Sequence, residues 1–268
     1  MPNFGLNDKD VDSIVMVLSS MVKDKVPLEM KERPDPDILE GRMLVAEKNC
    51  KGCHIIEGLG GDIRAVFKGE GGNLQWPPNL NTQGQKTQPD WLRSFLKDPG
   101  AIQPRWWIET RMPTFHFTEH QIAAIGKYFA RLDKVDWGWI DTSIETTPQS
   151  LAAGKQLFEE GQCSKCHPTT VGSNASAERT GVAPNLTLAH DRLRPDWAAR
   201  WITGPSLIDP TTRMPDFFKK DEKTGKRMPI VAEPGKPPMA VTDVDGQIRA
   251  LRDYVFSLGG GRVKTSGN

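Results

Sequence analysis

The sequence predicts an all-α, loop-rich fold built from two similar helical units. Three observations point there. A set of short motifs occurs twice, in the same order. Each occurrence closes on an amphipathic helical stripe. The 25 glycines and 21 prolines make up roughly 17% of the 268 residues, against a usual ~12%. Composition removes other classes. With 35 basic and 34 acidic residues the chain offers no polyelectrolyte surface for nucleic acid. Mean hydropathy is −0.50, and the longest apolar run, Ile14 to Leu18, has five residues. A membrane span needs ~18, so none is expected.

The elements follow in order. In residues 1–35, Asn7 is placed to cap a helix carrying Val11, Ile14, Leu18 and Met21 at offsets 0, 3, 7 and 10. The first unit, residues 36–135, opens on a short helix containing Gly41, nine residues before Cys50. Next come Cys50-Lys51-Gly52-Cys53-His54, then Pro78-Asn79-Leu80, then a helix started by Pro89-Asp90-Trp91. Arg111-Met112-Pro113-Thr114-Phe115 leads to a capping box of Thr118 and Gln121. The closing helix then carries Ile122, Ile125, Phe129 and Leu132, again at 0, 3, 7 and 10. Residues 136–147 read as a linker. The second unit, 148–268, repeats the order: Gly154 nine residues before Cys163-Ser164-Lys165-Cys166-His167, then Pro184-Asn185-Leu186, Pro195-Asp196-Trp197 and Arg213-Met214-Pro215-Asp216-Phe217. Its closing stripe is Ile248, Leu251, Val255 and Leu258, capped by Thr242 or Asp243. Tyr128 and Tyr254, the only two tyrosines, hold the same place in the two stripes. Residues 173–179 read as a polar surface insertion, and His190 as a surface loop residue.

The four cysteines carry the chemistry. Both pairs read C-x-x-C-H, the attachment pattern of haem c. Two thiols add across the two vinyl groups of one haem, and the following His lies beneath the iron. Two C-x-x-C pairs can also build a four-thiolate zinc site, although zinc does not require a His after each pair. A thioredoxin-like redox pair lacks its βαβ surroundings. Plain disulfides leave the two histidines unexplained.

The whole order resembles class I cytochrome c domains in tandem, as in multihaem c-type cytochromes, over about residues 36–133 and 148–260. The resemblance implies two covalently bound haems c. It assigns Cys50, Cys53, Cys163 and Cys166 to attachment and His54 and His167 to proximal ligation. Met112 and Met214 become distal ligands, with Met228 and Met239 as alternatives to Met214, and with His116 or His120 as an alternative to Met112. Pro78 and Pro184 would accept a hydrogen bond from the proximal imidazole, which fixes the ring and strengthens it as a donor. Gly41 and Gly154 would let the opening helix of each unit cross the closing helix closely, beside Tyr128 and Tyr254. Trp91 and Trp197 would wall the haem pockets. Met1-Pro2-Asn3-Phe4 and the stripe after it look like the tail of a preceding cytochrome unit. Met1 would then ligate a haem outside this chain, and the alternative is an N-terminal helix docked on the first unit.

The function implied is electron transfer, since His/Met ligation of both irons leaves no position for substrate. Redox proteins, other subunits of a respiratory or photosynthetic membrane complex, are the expected partners. The rival is a dihaem peroxidase or oxidase with one switchable haem, and a third reading is a docking module stapled by its haems. Haem c is attached on the outer face of the bacterial cytoplasmic membrane, so a periplasmic location is expected. The chain opens on no signal peptide, which suggests a processed chain or part of a longer polypeptide.

Overall fold

The computed structural model describes residues 5–20, 36–69, 71–138, 145–171, 182–259 and 264–265. The expectations for Met1, Met21 and the 173–179 insertion lie outside them. The chain divides into two units, Met1–Pro36 and Asp37–Asn268.

In the first unit α1 spans Asp8–Ser20. Asn7 caps it: the Asp10 N–H donates to Asn7 Oδ1 at 3.0 Å, and the Asn7 N–H donates to Asp10 Oδ2 at 3.1 Å. Val11 and Ile14 are exposed.

The second unit holds both sequence repeats. The first contributes α2 (Pro36–Glu47), α3 (Cys50–Cys53), α4 (Gln83–Lys86), α5 (Pro89–Lys97) and α6 (Glu119–Leu132). The second contributes α7 (Pro148–Glu160), α8 (Ala189–Arg192), α9 (Pro195–Thr203), α10 (Pro205–Ile208) and α11 (Val244–Ser257). Strands are minimal among the described residues. Ile55–Ile56 pairs antiparallel with Leu59–Gly60 across a turn in which Glu57 and Gly58 both have positive φ. Glu145–Thr146 pairs parallel with Lys264–Thr265, so the expected linker is tied to the end of the chain. No helix among the described residues is long and apolar enough to cross a membrane.

The helix ends obey their caps. The Gln121 N–H donates to Thr118 Oγ1 at 3.2 Å, and the Thr118 N–H returns to Gln121 Oε1 at 3.0 Å. Asp243, rather than Thr242, caps α11, accepting from the Gly246 N–H at 2.7 Å. Pro89 and Pro195 start their helices, where a missing N–H costs nothing. The stripes face two cores. Ile122, Ile125 and Phe129 join Leu44, Val45 and Leu96 in one. Ile248 and Leu251 join Leu157, Phe158 and Phe218 in the other. Each such side chain contributes roughly 1.5–3 kcal/mol when buried.

Both opening helices cross their closing helices at a glycine. A Cβ on Gly41 would lie 2.3 Å from Tyr128 Cβ and 2.6 Å from Ala124 O. A Cβ on Gly154 would lie 2.1 Å from Ala250 O and 2.6 Å from Tyr254 Cβ. Only hydrogen fits in either gap, which outweighs the ~1 kcal/mol a helical glycine costs.

The two repeats meet through equivalent residues. Thr87 and Leu193 form an antiparallel bridge. The Gln88 N–H donates to Arg192 O, and the Arg194 N–H donates to Lys86 O, both at 2.9 Å. Each partner is the tripeptide just before its own Pro-Asp-Trp helix, so the contact has a local two-fold character. Side chains extend it. Trp197 Nε1 donates to Thr82 Oγ1 at 3.1 Å, and the buried Arg194 guanidinium donates to the carbonyls of Thr87, Asp136 and Gly138. Arg200 also donates to Gln85 Oε1.

Candidate haem sites

Each C-x-x-C-H turn begins on a strained residue. Asn49 and Gln162, immediately before the first cysteine of each pair, have φ of 51° and 52°. That left-handed step is uncommon outside glycine, though Asn tolerates it better than Gln does. It turns the chain off the opening helix, and a short helical turn then carries the cysteines. The His54 N–H donates to Cys50 O at 2.9 Å, and the His167 N–H to Cys163 O at 3.0 Å.

The histidines are oriented identically. His54 Nδ1 lies 2.8 Å from Pro78 O, and His167 Nδ1 lies 2.8 Å from Pro184 O. A carbonyl only accepts, so in each ring Nδ1 carries the proton and Nε2 is the basic nitrogen. Burial pushes His54 below the usual imidazole range, against the opposing effect of the Pro78 bond and with help from Arg105 and Arg64. The ring is therefore neutral near pH 7, the form that binds a metal.

Each turn opens on its own cavity. Cys50, Cys53, His54 and Met112 line one of about 390 Å³, walled by Trp91 and Phe95. Cys163, His167 and Met214 line a second of about 230 Å³, walled by Trp197 and Trp201. The alternatives to Met214 do not line it: Met228 is exposed, and Met239 packs against the second core. His116 and His120 are exposed and do not line the first cavity, and His120 Nδ1 lies 3.1 Å from Glu40 Oε1. His190 departs from the sequence expectation. It sits on α8 with its side chain 14% exposed, edge-on to Phe256 and 2.8 Å from Asp191. The Pro195-started helix packs α8 against α11, which a surface-loop reading misses.

The cysteines are free, and all four are half-buried. Burial raises the Cys50 thiol and pushes Cys163 up to about 11. Neither is the low-pKa thiolate of a redox pair. The two pairs belong to different cavities, and no group of three or more metal-binding His, Cys, Asp or Glu side chains occurs among the described residues. A four-thiolate zinc site is therefore not assembled. In the first cavity an imidazole nitrogen and a thioether sulphur stand beside two thiols, a donor set that suits haem iron; in the second the imidazole and thioether stand beside Cys163, and Cys166 does not line the cavity. The buried indole Nε1 of Trp91, at the first cavity, has no hydrogen-bond partner, which is consistent with a polar group of a bound ligand.

Sequence reasoning missed the basic residues of these cavities. Lys86, Arg105 and Arg192 line both, and Arg64 lines the second. A signal was present: a basic residue stands three positions before Pro89 and three before Pro195. Trp107 also walls the second cavity and donates from Nε1 to Leu74 O at 3.0 Å.

No curated protein and no solved structure matches the chain. Residues 38–133 match the model of the Cytochrome c family, which supports a c-type cytochrome domain there, with covalently bound haem c and an electron-carrier role.

Proposed function

We propose that the chain is a dihaem c-type cytochrome that carries electrons between redox partners. In this reading Cys50 and Cys53 hold one haem c through thioether bonds, and Cys163 and Cys166 hold a second. His54 and Met112 ligate the first iron, and His167 and Met214 the second. The bound haem supplies a one-electron iron couple. The chain's residues do the rest: Trp91 and Trp197 wall the cavities, and the Pro78 and Pro184 carbonyls orient the imidazoles and strengthen them as donors.

One observation carries the reading. Both C-x-x-C-H turns share a cavity with one methionine, and both histidines bond a proline carbonyl at 2.8 Å. Two side-chain ligands per iron leave no open position, which favours a carrier over a dihaem peroxidase. The tandem arrangement, domains 36–135 and 148–268, follows from the motif repeat. The requirement for haem c attachment supports a periplasmic location, and membrane-complex subunits are the partners this reading expects.

Intact mass of the purified chain should exceed the polypeptide by two haems, and the colour should survive acid-acetone extraction. The oxidised protein should show the weak near-infrared band of Met-ligated ferric haem for both centres. Met112→His should lower one midpoint potential. A zinc-loaded chain without haem overturns the reading, and steady-state turnover of peroxide overturns the carrier role.

A further inference from the structure

Between the two cavities lies a group of cations that the fold alone does not neutralise. Lys86 ends α4 and Arg192 ends α8, at equivalent places in the repeats. Each reaches across to the other repeat. Lys86 Nζ lies 4.8 Å from the centre of the Trp197 ring, and the Arg192 guanidinium carbon lies 5.1 Å from that of Trp91. Arg105 joins them, held by Nη1 donating to Trp76 O at 3.3 Å. Arg64 stacks on the Trp76 ring at 4.7 Å.

Among the described residues, no carboxylate lies within 4.0 Å of any of these four cations. Asp209 is the one acid that favours their charged forms, acting on Lys86, Arg105 and Arg64 from farther away. Burial holds Lys86 well below the usual ammonium range, with repulsion from Arg192 and Arg105 adding to it. Burial likewise brings Arg192 to about 10. The Nε atoms of Arg192 and Arg64 are buried without a hydrogen-bond partner. Unpaired buried cations are strongly unfavourable, and native folds pair them with anions. Four cations with one distant acid, two of them with a buried N–H donor left without a partner, describe an anion site that expects more than one negative charge.

We propose that Lys86, Arg105 and Arg192 form a single carboxylate-binding site shared by both cavities, which takes the propionates of both haems, so that each repeat supplies a cation to the other repeat's haem. The inference rests on the dihaem reading. It has a consequence that separate sites would lack. A cation beside a haem favours the ferrous state, and here one side chain serves two haems. Neutralising it lowers both midpoint potentials, although its own repeat holds only one.

The test is a spectropotentiometric titration of the haem-loaded full chain, with haem content measured on the same samples. Lys86→Gln and, separately, Arg192→Gln should each lower both waves. The expected shift in each corresponds to a roughly threefold to tenfold change in the ferric-to-ferrous ratio at fixed potential. Lys86→Arg, which keeps the charge, should leave both waves near their original positions, and it serves if a glutamine variant fails to fold. Two haems per chain with only one wave moved, or neither, overturns the inference alone. Fewer than two haems in the unsubstituted chain overturns the dihaem reading beneath it. Potentials that move when chloride is exchanged for phosphate at constant ionic strength identify a free-anion site and overturn the assignment to propionates.

Discussion

The two cavities are built on one plan and part at the residue stacked on the wall tryptophan. In the first, Phe95 stacks on Trp91 with ring centres 5.0 Å apart and planes at 10°. In the second, Trp201 stacks on Trp197 at 5.1 Å and 15°. The stacking residue lies four positions after its tryptophan in both, one helical turn along α5 or α9. Only Trp201 has a donor to offer, and its Nε1–H reaches Met214 Sδ at 3.0 Å. Phe95 has none for Met112. The scaffold repeats while the polarity at the methionine sulphur does not. A donor on that sulphur withdraws electron density and weakens it as a ligand to ferric iron. The second haem of the proposed pair therefore has the higher potential from this contact alone.

The tyrosines differ in the same way. The Tyr128 hydroxyl donates to Glu57 Oε2 at 3.0 Å, and Glu57 also takes Arg42 at 2.5 Å and Lys51 at 3.1 Å. Tyr254, its counterpart, packs on Phe158 with ring centres 5.3 Å apart, and its hydroxyl makes no hydrogen bond among the described residues. The first repeat is latched across its helix crossing by a charged cluster. The second relies on packing.

The largest expected effect tests what the repeats share. Gly154→Val places side-chain atoms where even a Cβ would lie 2.1 Å from a backbone oxygen. It should cost about 3 kcal/mol, read as a fall in thermal midpoint, and Gly41→Val should cost a similar amount. A tolerated substitution at either glycine would break the equivalence of the crossings. Next, Trp201→Phe should give Met214 the donor-free aromatic neighbour that Met112 has. Losing about 1 kcal/mol of hydrogen bond from one oxidation state corresponds to roughly 40 mV for one electron, as a fall of the second wave only. An unchanged wave would remove the indole from the account. Smaller again, Tyr128→Phe should cost about 1 kcal/mol by denaturant titration, while Tyr254→Phe should cost close to nothing.

The smallest effect concerns acid stability. Burial works to raise the Glu57 carboxyl, but bonds from Lys51, Arg42 and Tyr128 together leave it below the usual carboxylate range. A depressed carboxyl contributes stability that is full above its unfolded value, near 4.5, and that disappears as pH falls through the folded value. Burial also pushes the Tyr128 phenol up to about 12, so it remains a donor throughout. Glu57→Gln should flatten the loss of stability below about pH 4.5, followed as thermal midpoint against pH. A curve of unchanged slope would place the acid sensitivity elsewhere.

Much of this was legible in the sequence because it is local. Caps, proline starts and apolar stripes report on neighbours three or four residues away, and the cysteine spacing is itself the chemistry. The glycine crossings were readable because two repeats kept the same residue at the same offset. Lys86 and Arg192 were not, since a lone basic residue normally points to solvent. Their burial is created only when the repeats dock, through partners about a hundred residues away. The pairing of Glu145–Thr146 with Lys264–Thr265 was invisible for a different reason, since two residues carry no periodicity. Which of Met214, Met228 and Met239 lines the second cavity depends on the path of the loop that holds all three, and periodicity does not report that path.

The bridge between Thr87 and Leu193 has a further consequence. A contact between equivalent positions, in which each supplies to the other what it receives, is isologous, the kind that relates protomers of a C2 homodimer. Identical protomers must place identical side chains on both faces of such an axis. A single polypeptide has no such obligation. Here the backbone ladder keeps its two-fold form while Lys86 faces Arg192 and Phe95 answers Trp201. A single chain thus separates assembly from tuning: the halves can be held together by a symmetric device and still give the two haems of the proposed pair unequal surroundings. In the proposed dihaem carrier, direction of electron flow would depend on that inequality, which a symmetric dimer could not encode.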